Sequence, residues 1–430
     1  MLRKRGLNML DITRIEKEPH VIEELLRRKG WDVDLTPLIA KITNKRALLF
    51  KIEQVKAEVN KLSAEVPKLK KAGQDVMPLF AKVKQLNASI VADETNLKIL
   101  EADINEQLHA LPNIPDPDLK EGGKEHNEVI MTFGQKPAFD FKIKDHVELA
   151  TSLKVIDYAR AAKISGAGTW IYTGIGARLE WALINFFIAE HLKDGYEFIL
   201  PPHLLNDESG FTAGQFPKFK NDVFWLDGVE PKRFLLPTAE TALVNIHRQE
   251  IMLEADLPKK YFAYTPCYRC EAGSYRSEER GMIRGYQFNK VELVQYTTDT
   301  GSDQGFDELV EKAISLVKKL GLHFQVSKLA AGDCSHSMAR TIDIEVYIPS
   351  MGIYKEVSSA SNARDYQARR GMIRYRDASG KIHFAHTLNA SGLATSRLIP
   401  AILEQFQQAD GSVIVPEALR PFIGVDIIKK

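Results

Sequence analysis

The sequence predicts an α+β protein, an antiparallel-sheet domain preceded by a long antiparallel helical hairpin. Three observations lead there. From Leu38 to Leu111 apolar residues recur at steps of three and four, with no strand-like alternation. Beyond Glu128, short β runs follow one another across tight turns and mix with helical patterns. No repeated glycine-rich strand-to-helix unit appears, which argues against a doubly wound sheet.

Taken in order, the opening "MLRKRGLN" is basic but lacks an apolar core and is short for a transit peptide, and it reads as an upstream start ahead of Met9. In the first helix Leu48, Ile52, Val55, Val59, Leu62 and Val66 form the stripe. In the second, Leu79, Val83, Leu86, Ile90, Leu97, Leu100, Ile104, Leu108 and Leu111 keep nearly the same register, with Asp93 the polar exception. Between them "PKLKKAGQD" supplies a turn. Helices of ~30 residues project roughly 45 Å, too far for both ends to rest on a globular body. Such a hairpin suits an oligomerisation or spacer coiled coil. Lys68, Lys70 and Lys71 at its tip, with Lys41, Lys45, Arg46, Lys51, Lys56 and Lys61 along one helix, also suit a phosphate backbone. "PNIPDPDLKEGGKEHNE", from Pro112 to Glu128, reads as a linker, so the expected division is 1–111, 112–128 and 129–430. Beyond it a helix is expected over Gly174 to Lys193. Strands are expected over Phe234 to Pro237, Phe262 to Glu271, Ile283 to Tyr296, Ile342 to Ile348 and Ile353 to Ser359.

The chain has 430 residues, 44% hydrophobic and 27% charged, an ordinary soluble composition with room for two or three domains. Lysine and arginine number 58 against 57 acids, so a polyanionic partner must be met by local patches. Three cysteines fit a reducing compartment, and no apolar run approaches the ~20 residues of a membrane helix, which makes the cytoplasm the default. Neither G-x-G-x-x-G nor G-x-x-x-x-G-K-[ST] occurs, so any phosphate must be held by side chains.

The stretch "CYRCEAGSYRSEERGMIRGYQFNKVE", Cys267 to Glu292, contains a C-x-x-C. On a strand the odd offset sends Cys267 and Cys270 to opposite faces, and Cys334 is the one other cysteine, too little for a structural zinc site. Even spacing groups Cys267, Arg269 and Glu271 on one face, and Arg284, Tyr286, Phe288, Lys290 and Glu292 on one face of the following run. Paired as a hairpin, such a surface can fork a phosphate with arginine, stack a base on an aromatic ring and receive an amine on a carboxylate. A solvated salt-bridge ladder is the equal alternative from this stretch alone. Three further stretches add to it. "LPTAET" offers Thr238 and Glu240. "YKEVSSASN" offers Glu356, Ser358 and Ser359, oxygen donors of the kind a hard divalent cation prefers. "NASGLATSRLIPAILEQF" runs from a small-residue turn through Ser391 into an amphipathic helix with Arg397 near its start.

From "MLDITRIE" through "PNIPD", "GQFPKF", "TPCYRCEAGS", "YQFNKVEL", "DYQARR" and "SGLATSR" to "VPEALRPF", the chain resembles the seryl-tRNA synthetases, which are class II aminoacyl-tRNA synthetases. "GYEFILPP", Gly195 to Pro202, is similar to the family's motif 1 at a homodimer interface. The Cys267 stretch is similar to motif 2, and Ser391 to Glu404 to motif 3. The resemblance implies an ATP site of Arg269, Cys270, Glu271, Arg284, Phe288, Glu356, Val357, Ser358, Ser359 and Arg397. Arg269 is expected on the α-phosphate, Phe288 on the adenine and Arg397 near the γ-phosphate, these two arginines being the catalytic pair. It implies a serine pocket of Thr238, Ala239, Glu240, Arg269, Glu292 and Ser391, and Mg²⁺ on Glu356 and Ser359. The arm is expected to bind tRNA(Ser), with tRNA(Sec) a further substrate. Tyr275, Arg276, Tyr286, Ala390 and Pro400 depart from the family's usual residues. A carrier-protein amino acid ligase and a non-catalytic tRNA-binding paralogue are the alternatives, and the long arm and the complete set of site residues count against them.

Overall fold

The computed structural model describes residues 10–271 and 281–430, and Met9, Tyr275 and Arg276 lie outside the described residues. The chain forms two compact units. One holds the residues up to Leu26 and Asp32–Leu111, the other Arg27–Trp31 and Pro112–Lys430.

In the first unit, α1 (Thr36–Lys71) and α2 (Met77–Ala110) form the hairpin. The Asp34 carboxylate accepts the Thr36 N–H at 2.8 Å, and Pro37 follows within the first turn, where no N–H is needed. The apolar seam is narrow. Leu38, Ile42 and Ile52 are buried on α1, and Ile90, Ile104 and Leu108 on α2. Ion pairs supplement it: Lys41 to Asp103 and Lys51 to Asp93 at 2.7 Å, Lys45 to Glu101 at 3.1 Å and Lys56 to Glu94 at 2.6 Å, while Arg46 meets Glu16 at 2.7 Å. Five of the cations expected to suit a phosphate backbone therefore hold the unit's own carboxylates. The turn is also shorter than the sequence suggests. Pro67 lies inside α1, removing one interior hydrogen bond, and the chain reverses over residues 72–76, with Gly73 at φ +71°.

The second unit is built on eight strands: β1 (Glu128–Phe133), β2 (Glu197–Phe198), β3 (Lys259–Tyr268), β4 (Gln287–Thr297), β5 (Phe324–Lys328), β6 (Arg340–Ile348), β7 (Ile353–Asn362) and β8 (His386–Ala394). They lie in the order β1-β5-β6-β7-β8-β4-β3-β2 and are antiparallel throughout except for the edge pair β2/β3. Helices α3 (Ile175–Lys193), α4 (Ser302–Lys319) and α5 (Thr395–Gln405) close one side. Leu179, Phe187, Leu309, Leu316 and Leu398 share a core there with Val291, Leu293, Leu388 and Ala390. Since side chains alternate, Lys290, Glu292, Asn389 and Ser391 turn to the other side of the sheet.

One expectation is corrected. "NASGLA" is no turn: it belongs to β8 in the middle of the sheet, because its small residues let α3 and α4 pack closely behind it. The following helix begins at Thr395, and Pro400 sits in its second turn. Residues 112–128, expected as a linker, belong to the second unit. Asn113 Nδ2 donates to the Ala363 and Ser337 carbonyls at 2.7 and 2.9 Å, and Asp116 binds Arg364 at 2.7 Å and Arg340 at 2.8 Å. Arg27–Trp31 joins the same unit, where the buried Lys29 ammonium donates to the Met338 and Ser335 carbonyls at 2.6 and 2.8 Å. Among the described residues no helix is long and apolar enough to cross a membrane.

Candidate active site

The register of β3, β4 and β8 assembles the site. Cys267 faces Phe288, Thr265 faces Lys290 and Ala263 faces Glu292, while Ser391 lies opposite Glu292 on the other side. The strand period thus puts Phe288, Lys290, Glu292 and Ser391 on one surface. Two bulges complete it. Val357 is an extra residue between the pairs Ile344/Ser358 and Glu345/Glu356, so Glu356 and Ser359 share a face despite their odd separation. A second shift between Ser391 and Ala394, with Leu393 at φ +88°, turns both of those residues into the same cavity.

That open cavity, about 560 Å³ counting the solvent at its mouth, is lined by Arg269, Glu271, Arg284, Phe288, Lys290, Glu356, Val357, Ser391 and Arg397, with Ile283, Gly285, Ala394 and Ser396. The Arg269 guanidinium lies over the Phe288 ring, 5.1 Å from its centre, and its Nε donates to the Pro237 carbonyl at 3.3 Å. Arg284 and Glu271 form an ion pair. Arg397 Nη1 donates to the Glu356 carbonyl at 2.8 Å and lies 3.5 Å from its carboxylate. Two guanidiniums on planar supports beside an aromatic face can take a polyphosphate and a base.

Thr238 and Glu292, both buried, and the half-buried Glu240 lie next to this cavity in a polar network. Thr238 caps the short helix Ala239–Leu243, accepting the Glu240 N–H at 3.3 Å, receives Lys290 Nζ at 2.8 Å and donates to Glu292 at 3.4 Å. Lys290 and Glu292 are also ion-paired. Asn389 Nδ2 donates to Glu292 at 3.0 Å and reaches Glu240 at 3.4 Å, while Gln367 donates to Glu240 at 2.8 Å. Burial first, and then the neighbouring Glu292 charge, push the Glu240 carboxyl up to about 7. Two close carboxylates in a buried setting attract an ammonium group.

Not every expected residue reaches the cavity wall. Ala239 is buried behind its helix, and Ser358 is buried with its hydroxyl donating to the Ser391 carbonyl at 2.6 Å. The Cys270 N–H donates to the Asp222 carbonyl at 2.9 Å, and burial raises the Cys267 and Cys270 thiols, keeping both protonated. Tyr286 does not line the cavity and sets its ring edge-on to Phe224, 6.4 Å between centres. Ala390 points to the helix side. Lys290, Asn389 and Gln367 are the residues that sequence reasoning leaves out of the pocket. Lys290 shares the parity of Phe288 and Glu292, a signal already in the stretch.

Glu356 and Ser359 offer oxygens to a cation. Asp343 is paired with Ser359 across the β6/β7 ladder, and its Oδ1 is buried without a hydrogen-bond partner. Burial, and next the Glu356 charge, hold its carboxyl well above the usual range. A divalent ion would relieve that crowding, so the oxygen-rich set fits Mg²⁺. Among the described residues no three His, Cys, Asp or Glu side chains converge as a metal cage. Mg²⁺ commonly binds one or two protein oxygens plus substrate phosphates and water, and does not need one.

Residues 9–115 match the family described as the seryl-tRNA synthetase N-terminal domain, and residues 224–406 the tRNA synthetase class II core domain (G, H, P, S and T). The chain is 56% identical to the serine–tRNA ligase 2 of Clostridium acetobutylicum, over 97% of this chain and 100% of that one. It is 44% identical to the serine–tRNA ligase of Caldicellulosiruptor bescii over 98% and 100%. A crystal structure of seryl-tRNA synthetase from Pyrococcus horikoshii complexed with ATP superposes with a TM-score of 0.90 at 31% identity, covering 97% of this chain and 99% of that one.

Proposed function

The chain belongs to the seryl-tRNA synthetases, and from that premise we propose that it is a serine–tRNA ligase that activates L-serine with ATP and transfers it to the 3′ end of tRNA(Ser). The observation that carries this reading is the meeting of Arg269, Phe288 and Arg397 on one cavity beside the half-buried Glu240 and the buried Glu292.

The serine carboxylate attacks the ATP α-phosphorus in line, pyrophosphate leaves, and a seryl-adenylate forms. A hydroxyl of the tRNA's terminal ribose then attacks the seryl carbonyl and AMP leaves. No protein nucleophile is required, so the chain's contribution is orientation and charge neutralisation. Arg269, braced on Phe288 and the Pro237 carbonyl, takes the α-phosphate. Arg397 takes the far end of the triphosphate. Phe288 stacks on adenine, with Glu271 and Arg284 at its edge. Glu240 and Glu292 receive the serine ammonium and hydroxyl, and Thr238 and Ser391 line the space for its side chain. Glu356 and Ser359 would hold Mg²⁺, which would neutralise phosphate charge. The arm carries the tRNA contact, two copies of the chain form the working dimer, and the cytoplasm is the site of action.

The test is acylation of single tRNA transcripts with radiolabelled serine. Charging of serine tRNA and not of a tRNA of another identity supports the reading. Serine loaded onto a carrier protein, or no acylation despite adenylate formation, would replace it with one of the rival readings.

A further inference from the structure

Behind the nucleotide cavity, on the helix side of the sheet, Glu180 of α3 is 3% exposed. Its Oε1 accepts the Thr395 hydroxyl at 2.6 Å and the Asn289 side-chain amide at 2.7 Å. Thr395 is the first residue of α5, two before Arg397. Asn289 stands between Phe288 and Lys290 on β4 and points away from the cavity, where its Oδ1 receives the Tyr264 hydroxyl at 3.3 Å. One carboxyl oxygen therefore ties the strand that carries the proposed adenine-stacking ring to the helix that carries a proposed phosphate arginine. Neither Glu180 nor Thr395 lines the cavity.

A carboxyl in such a place is costly for packing alone, since desolvating it must be offset by hydrogen bonds. Its second oxygen, Oε2, lies in buried surroundings near the Tyr172 hydroxyl. Burial pushes the Glu180 carboxyl up to about 7, which makes a neutral amide a close mimic. Glutamine would keep the acceptor for Thr395 and Asn289 and offer its NH₂ to Tyr172.

We propose that Glu180 is a positioning residue of the nucleotide site, setting the Phe288–Lys290 segment against the start of α5 so that Phe288 and Arg397 meet the two ends of ATP. The inference rests on the ATP reading above and adds the residue that fixes its geometry.

The test measures ATP dissociation constants by calorimetry without serine, together with KM for ATP and for serine in pyrophosphate exchange. The proteins are the wild type, Glu180→Gln, Glu180→Ala and Thr395→Val. Thr395→Val removes the Thr395 hydroxyl's bond to Glu180 together with its 3.2 Å approach to the Asn289 carbonyl, and it preserves shape, so it tests the helix-to-strand tie even if Glu180→Ala fails to fold. Thr395→Val is expected to weaken ATP about tenfold, the loss of one buried hydrogen bond to a carboxylate, with the serine KM within about twofold. Glu180→Gln is expected to stay near wild type for both ligands. The proposal is overturned if Thr395→Val leaves ATP affinity unchanged, if it shifts ATP and serine equally, or if Glu180→Gln loses ATP as badly as alanine does. A wild type that binds no ATP defeats the underlying reading instead, and that outcome is distinct from the other three.

Discussion

Glu240 is held neutral at the edge of physiological pH by burial and by Glu292, its carboxyl lying at about 7. Its folded-state pKa is raised, so the folded chain binds more protons than the unfolded one, and its contribution to stability falls as pH rises towards 7. A serine ammonium lodged between the two carboxylates favours their ionised forms, and binding should release a proton. Serine KM is therefore expected to fall as pH rises from about 6 to about 8 and then level off, and Glu240→Gln should flatten the profile. A pH-independent serine KM in the wild type would contradict this assignment. Much of this residue-scale arrangement is legible because the strand period is two: parity alone groups Phe288 with Glu292 and sets Arg269 on the facing run. Glu356 and Ser359 are not legible in that way, since their odd separation conceals the bulge at Val357. Asn389 and Gln367 are also out of reach, because they come from distant segments and meet Glu240 only in the fold.

At the scale of elements, the helical hairpin follows from its three-and-four periodicity, whereas the charge along it is ambiguous in the sequence. The fold resolves the ambiguity by pairing Lys41, Lys45, Lys51 and Lys56 with carboxylates of α2 and Arg46 with Glu16. Lys61, Lys68 and Lys71 form no ion pair among the described residues, and Lys70 lies over the Phe80 ring, 6.0 Å from its centre. Converting Lys68, Lys70 and Lys71 to alanine should lower tRNA charging and flatten its dependence on log salt by up to ~0.9 for each phosphate no longer neutralised. Serine-dependent pyrophosphate exchange should stay within about twofold, because these residues lie in the other unit from the cavity. An equal effect from Lys41→Ala or Lys51→Ala, whose charges are already paired, would count against the tip as the RNA-binding element. The β8 segment reads as a turn in the sequence because asparagine, serine and glycine are common turn residues. Its small side chains answer instead to helices packed closely behind it.

For the whole molecule, β2 and the residues that follow it expose apolar side chains: Phe198 at 36%, Leu200 at 75% and Leu204 at 49%. These stand in and beside the motif 1-like stretch, and a patch of this kind on a soluble chain is a candidate for burial by another copy. The wild type should scatter light as a dimer at micromolar concentration, and Leu200→Glu should shift it towards monomer; a monomeric wild type would contradict the assembly. Family membership is legible from the order of motifs along nearly the entire chain, while the grouping of Arg27–Trp31 with the second unit is not, since only the fold brings Lys29 to the carbonyls of Ser335 and Met338. We propose that the chain selects serine through a pocket built to bond its hydroxyl and ammonium. ATP–pyrophosphate exchange, scanned over serine, alanine, glycine and threonine with wild type and Glu292→Ala, tests it most directly. Serine alone should drive rapid exchange, alanine should be slower by roughly 10⁴ because the pocket's polar groups lose their partner, and Glu292→Ala should abolish serine activation. Alanine within about tenfold of serine, or a Glu292→Ala enzyme that exchanges at wild-type rates, would contradict it.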